Sequence, residues 1–194
     1  MGGPETIRPA PGDISGTGTT LVIIKGEQVE MVDSCKYLGL HVNKKLDWSD
    51  NTDALYKKGQ SRLFFLRRLR SFDVCSRLLR MFYQSVVASA IFSAVACWGS
   101  GAGEGEKNRL NKLVEKASSV VGGELVSLEE VANGRIRAKL RSIMGNPSHP
   151  LYSELTQLKS THSHSKRLRQ LPGHTSRFRN SFVPAAIKLY NEGL

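Results

Sequence analysis

Between Lys57 and Arg80 the chain sets eight basic side chains (57, 58, 62, 67, 68, 70, 77 and 80) against one acid, Asp73, with Phe64 and Phe65 among them. Lysine and arginine at this density neutralise a phosphate backbone, an attraction that carries no sequence preference and weakens steeply with salt. The plainer alternative is that Arg62, Arg70 and Arg77 snorkel along a helix pair and keep their heads in water. Charge favours nucleic acid as the partner. Phe64 is the less routine member, because a ring on an outer face needs something to stack on it or cover it.

Other chemistries lack their residues. Phosphoryl transfer on two divalent ions needs clustered carboxylates at strand ends. The N-terminal part offers Asp13, Asp33 and Asp47 with a few glutamates, and the chain contains no Asp-Asp pair. His162 and His164, with His149 and His174 nearby, match no zinc template and have no cysteine in their region, so they read as solvated. There is no His-x-Asp, no phosphate loop and no Gly-x-Ser-x-Gly. Gly101-Ala-Gly-Glu-Gly105 follows a helix rather than a strand and reads as a linker. No catalytic residue, metal ligand or cofactor-binding residue is therefore assigned, no cofactor is expected, and the chain is not expected to be an enzyme on its own.

The elements that must position the basic stretch follow from periodicity. Residues 1–20 hold five glycines and three prolines without an apolar period and read as a disordered leader. Leu21–Ile24, a turn at Lys25-Gly26-Glu27 and a return through Val29 and Met31 predict a β-hairpin. Tyr37, Leu38, Leu40 and Val42 predict a third strand with Gly39 as a bulge. From Ser49 the period becomes helical. Ser49 or Asp50 caps a helix to about Phe72, with Leu55, Gly59, Leu63, Leu66 and Leu69 on one face and Lys57, Gln60, Phe64, Arg67 and Arg68 opposite.

Asp73 is the expected cap of a second helix, Val74–Cys97, apolar on most sides after Phe82 and so the central buried one. A third helix, to about Val121, turns Leu110, Leu113, Val114 and Ala117 inward and stops at Gly122-Gly123. Ser127-Leu-Glu-Glu130 is a capping box opening a fourth helix to about Met144. Residues 147–194 read as a basic C-terminal arm with short helices, weakly ordered over 159–194; Phe178, Phe182, Ile187, Leu189 and Tyr190 fold it back, and Pro184 stands at the first turn of a final short helix. The units are thus a leader (1–20), a β piece (21–48), a helical bundle (49–146) and the arm (147–194).

The chain's 194 residues suit one domain with tails, and its net charge of +11 is concentrated beyond residue 48. Residues 1–48 hold five basic and six acidic side chains, the remainder 23 and 11. Cys35, Cys75 and Cys97 are odd in number and widely spaced, which fits a reducing compartment. No signal peptide is read at the N-terminus. The apolar tract Ser85–Trp98 is shorter than the roughly 20 residues that span a bilayer. A soluble, intracellular protein (nucleus or cytoplasm), with no membrane partner, is the expectation.

Lys36-Tyr-Leu-Gly-Leu-His-Val42, Leu46-Asp-Trp48, Lys57–Leu69, Leu79–Tyr83, Trp98-Gly99, Pro147–Pro150, Thr175–Phe182 and Pro184–Asn191 occur in an order that resembles the C-terminal part of reverse transcriptases of non-LTR (LINE, jockey-like) retrotransposons, across about residues 21–191. The resemblance implies a mainly α fold: a short N-terminal antiparallel hairpin or three-stranded piece, a thumb-like helical bundle and disordered ends. It also implies a remnant of an RNA-directed DNA polymerase whose fingers, most of the palm and catalytic Asp-Asp motif are missing. Residues 21–48 would be the palm and primer-grip remnant, with Tyr37, Leu38 and Gly39 as grip residues and Lys57, Arg62, Arg67 and Arg68 as thumb contacts.

With Phe64 and the tail's Arg167 and Arg169 these make the candidate nucleic-acid-binding set. The implied function is non-specific binding of a template–primer backbone without polymerisation. The alternative is a structural or interaction module that packs on a missing partner domain. The Tyr-Leu-Gly, Trp and Lys/Arg-rich helix also resemble the N-terminal-type domain of alkB homologues, named for alkylated DNA repair. The dioxygenase and methyltransferase activities of that name are not carried over, because neither an iron triad nor a Gly-rich methyl-donor loop is present.

Overall fold

The structure, a computed structural model, describes residues 21–157, 167–173 and 175–193. The expectations for residues 1–20, for the part of the arm over 158–166 and for the histidines at 162, 164 and 174 fall outside these. Among the described residues the fold is mainly helical, preceded by two small antiparallel hairpins.

β1 (Leu21–Ile24) pairs with β2 (Glu27–Glu30) around Lys25 and Gly26, and β3 (Ser34–Tyr37) pairs with β4 (Leu40–Asn43) around Leu38 and Gly39. Both turns have two positive φ values, 51° and 84° in the first, 47° and 85° in the second. This is the primed geometry whose twist matches the flanking strands. The predicted third strand with a bulge at Gly39 is corrected. Leu38 and Gly39 enter the left-handed region together, so the chain reverses there and the two hairpins form separate sheets. Leucine in that region has a steric cost that glycine avoids.

α1 (Ser49–Ser71) begins on Trp48, at φ 67°, and neither Ser49 nor Asp50 caps it as expected. Asp47 takes that part: its Oδ1 accepts from Ser49 N (3.0 Å), Ser49 Oγ (2.7 Å) and Asn43 Nδ2 (2.8 Å). These bonds, that from Asn43 first, hold the carboxyl down at about 2. A group depressed in the folded state stabilises it above its unfolded value, near 4, and that contribution disappears as pH falls through about 2. In Asn43→Ala the Asp47 midpoint, followed by NMR titration, is expected to rise toward the ordinary range. An unchanged midpoint would leave the Ser49 hydrogen bonds and the charge of Lys45 as the causes.

The helix predicted over Val74–Cys97 is broken. Asp73, at φ 55°, belongs to the corner after α1, and Cys75 stands at the cap of α2 (Ser76–Phe82). A π-helical turn covers Tyr83–Ala88, followed by α3 (Ser89–Ile91), a turn with Ala94 at φ 47°, and α4 (Val95–Trp98). Irregular helix leaves carbonyls without intrahelical partners. Two arginines add hydrogen bonds to carbonyls of this stretch: Arg62 Nη1 donates to Val86 O at 2.7 Å, which also accepts from Ser89 Oγ, and Arg135 Nη1 to Phe92 O, which also accepts from Val95 N. Trp98 Nε1 donates to Ser93 O at 2.7 Å across the Ala94 turn. By length and composition the stretch Ser76–Trp98, 23 residues, is apolar enough to cross a bilayer, contrary to the expectation from Ser85–Trp98 alone. Here Leu79, Val87, Ile91, Val95 and Trp98 lie buried in the main core.

α5 (Glu104–Val121) ends on Gly122 at φ 77°, and α6 (Leu128–Met144) starts where Ser127 Oγ accepts from Glu130 N. The main core joins α1, the α2–α4 stretch, α5 and the first half of α6. Gly59 permits its closest approach, since a Cβ there would stand 2.8 Å from Leu113 Cδ1 and 3.1 Å from Ile91 Cγ1. A second core gathers Ile136, Leu140 and Ile143 of α6 with Leu155 of α7 (Tyr152–Gln157), Leu168, and Ala186 and Ile187 of α9 (Phe182–Glu192).

Within the described tail residues the expected fold-back and final short helix are present, with Ile187 of α9 buried in the second core. Arg137 Nε donates to Leu189 O, and Asn191 exchanges two hydrogen bonds with Leu168. Arg177, on α8 (Ser176–Arg179), donates to Lys45 O at 2.6 Å.

Candidate nucleic-acid interface

α1 buries Leu55, Gly59, Leu63 and Leu66. At 100° per residue the far side is a stripe of Lys57, Lys58, Ser61, Phe64, Phe65, Arg68 and Phe72, bordered by Gln60 and Arg67, all exposed. From Lys57 to Phe72 it runs about 22 Å at 1.5 Å per residue. Residues 54–72 contain no acid.

The charge is uncompensated. Among the described residues the ion pairs are Lys44–Asp33, Lys107–Glu104, Arg109–Asp53 and Lys188–Glu192, and none uses Lys57, Lys58, Arg67 or Arg68. Asp53, the acid preceding the stripe in the chain, is taken by Arg109, whose guanidinium also lies over the Tyr56 ring at 4.3 Å, and Asp73 follows the stripe at the corner after α1.

Three phenylalanines are bare. Phe64, Phe65 and Phe72 are 58%, 54% and 69% exposed. The first two meet edge to face at 5.7 Å, and the Arg68 guanidinium stands 5.4 Å over Phe72. Leu78 and Met81 of α2 are exposed just beyond the corner. Leaving such rings in water forgoes burial worth about 1.5–3 kcal/mol for a side chain of this kind.

The structure brings Lys57, Phe64, Arg67 and Arg68 together on this face. Arg62 is half-buried and its guanidinium reaches Val86 O instead. Tyr37, Leu38 and Gly39 form the tip of the β3–β4 hairpin. That hairpin docks on the first turn of α1, where His41 N donates to Asn51 Oδ1, whereas the phenylalanines lie in the C-terminal half of the helix. Arg167 and Arg169 flank the buried Leu168 at the second core. Phe72 and Ser61 escaped the sequence reading; extending the helical projection by one more turn places both beside Arg68.

Among the described residues no three His, Cys, Asp or Glu side chains gather into a metal-sized group. The Tyr83 hydroxyl, buried without a hydrogen-bond partner, is pushed up to about 12 by desolvation. A cleft of about 370 Å³ between the Lys45–Trp48 loop and α8 exposes Cys97, Arg177 and Phe182 along its wall.

The fold and this face describe a basic helical module with an exposed aromatic stripe. Residues 48–89, which hold all of α1 and α2, match the family described as Alkylated DNA repair protein alkB homolog 8, N-terminal. No curated protein matches the chain, and no solved structure does. The expected kinship with retrotransposon reverse transcriptases is overturned. The family matched is a different one, confined to the segment around α1, and no match supports a polymerase across residues 21–191. The primer-grip and thumb roles assigned to Tyr37, Leu38, Gly39, Lys57, Arg62, Arg67 and Arg68 lose their basis, and only their positions in the structure remain.

Proposed function

We propose that this chain is a non-catalytic helical module that binds nucleic-acid backbones through the outer face of α1. The observation that supports it is the unpaired set Lys57, Lys58, Arg67 and Arg68 on one exposed face, within the segment similar to the alkB homolog 8 N-terminal family. That family's name concerns repair of alkylated DNA, a setting in which a phosphate-binding surface has an evident use. Dioxygenase and methyltransferase chemistry is left out of the proposal, since the chain has no His-x-Asp and no methyl-donor loop.

Four phosphate contacts give a log–log salt slope of about −3 on a single strand. Titrating a labelled oligonucleotide at rising NaCl tests the proposal: a slope of that size supports it, and absent or salt-insensitive binding rejects it. A second reading, a module that packs on a partner domain, is favoured by the first hairpin, where Ile23, Ile24 and Val29 are exposed with Met31 and Val32 close behind. Salt-insensitive behaviour in the same titration would favour that reading.

A further inference from the structure

We propose that the α1 face takes single-stranded rather than duplex nucleic acid, with bases stacked on Phe64, Phe65 and Phe72. This inference rests on the nucleic-acid reading above and narrows its substrate class. The rings share one stripe with the unpaired cations. Lys57 and Lys58 lie before them, Arg68 between, and Arg67 alongside, so phosphates and bases of one strand can be met together. Phe65 and Phe72 are separated by about 10 Å along the helix axis.

In a duplex the base faces are already stacked on each other, leaving only backbone and groove edges, which are polar. A phenyl ring carries no hydrogen-bonding group to read an edge. An unpaired base offers its π-face, and stacking on an aromatic side chain tolerates any sequence. Residues 54–72 contain no acid, so the charges interleaved with these rings are all positive. Arg68 over Phe72 adds a cation beside one platform, so the same residue can pair with a phosphate while its ring neighbour receives a base.

The test uses the whole chain with a fluorescein-labelled oligothymidylate of about 20 nucleotides, a size sufficient for such sites, and a duplex of equal length, at matched salt. Tighter binding of the single strand is expected. F64L/F65L/F72L keeps apolar bulk but removes the rings, and its fold is checked by circular dichroism. It should bind oligothymidylate about a hundredfold more weakly, bind the duplex within about twofold of the parent, and keep the parent's salt slope, because its charges are intact. Duplex binding equal to or tighter than single-strand binding overturns the inference, as does a variant that binds oligothymidylate like the parent. In both cases salt-dependent binding of the parent leaves the broader reading standing. Failure of the parent to bind either probe removes that reading too.

Discussion

Trp98→Ala is expected to lower the unfolding free energy by about 3–5 kcal/mol, the usual range for emptying a buried tryptophan site. The indole is fully buried at the end of α4, where this short helix packs on α6 and α9. The neighbouring backbone is already tight, since a Cβ on Gly99 would stand 3.2 Å from Ala132 Cβ. Surroundings so close to α6 have little freedom to collapse into the space left. The Nε1–Ser93 bond closes the chain over Ala94, which sits at a left-handed φ of 47° and so costs about 1–2 kcal/mol by itself. Removing the indole removes both the packing and the clasp over that turn.

Because domains of this size hold only about 5–15 kcal/mol in all, the variant should show a much lower urea midpoint at an unchanged slope. Trp98→Phe, which retains most of the apolar volume but not the N–H, should lose about 1 kcal/mol more than its smaller volume explains. A loss below about 1 kcal/mol in the alanine variant would mean that α4 is not part of the folding unit.

Neutralising Lys57, Lys58, Arg67 and Arg68 together to Gln is expected to weaken nucleic-acid binding about a thousandfold at 50 mM salt. The magnitude follows from counterion release: each phosphate contact on a single strand contributes about 0.7 to the salt exponent. Four contacts therefore account for about 3.6 decades between 50 mM and 1 M salt, of which a thousandfold loss is the conservative part, and the two proteins should converge as salt approaches 1 M. All four side chains are exposed and outside every ion pair among the described residues, so the fold should be unaffected. Arg62→Gln is the contrasting case. Its guanidinium holds Val86 O in the π-helical turn, so the change should reduce stability by about 1 kcal/mol or more and alter the salt slope little. A quadruple variant that binds like the parent would place the nucleic-acid surface elsewhere or nowhere.

Much of this architecture was legible along the chain. The spacing of Leu55, Gly59, Leu63, Leu66 and Leu69 predicted the inner face of α1; the first four are buried and Leu69 is half-buried against the main core. Gly122 and Ser127 marked the end of α5 and the start of α6 because a left-handed stop and an N-cap oxygen are local chemistry. Phe64 stood out on an outer face before any coordinates, since its angle on the helix follows from position alone. What escaped was non-local. The apolar run through Val95 reads as one helix because hydrophobicity carries no mark of a π-turn. At the breaks Arg62 and Arg135, both from other helices, donate to its carbonyls, and Trp98 adds a local bond to Ser93 O.

The tail shows the same division. Phe182, Ile187 and Leu189 pointed to a tail folded back through a final short helix, but the α6 surface on which Ala186 and Ile187 are fully buried exists only once the helices are assembled. By itself the sequence determined the charge, the lack of clustered carboxylates and the helical faces, all properties of residue type and period. Only the tertiary structure decided which cations stay unpaired. Arg62 and Arg109 are drawn into backbone and acid contacts by neighbouring segments, while Lys57, Lys58, Arg67 and Arg68 face outward beside three uncovered rings. An ion pair or a carbonyl contact needs a partner brought from elsewhere in the chain, and that proximity exists only after folding.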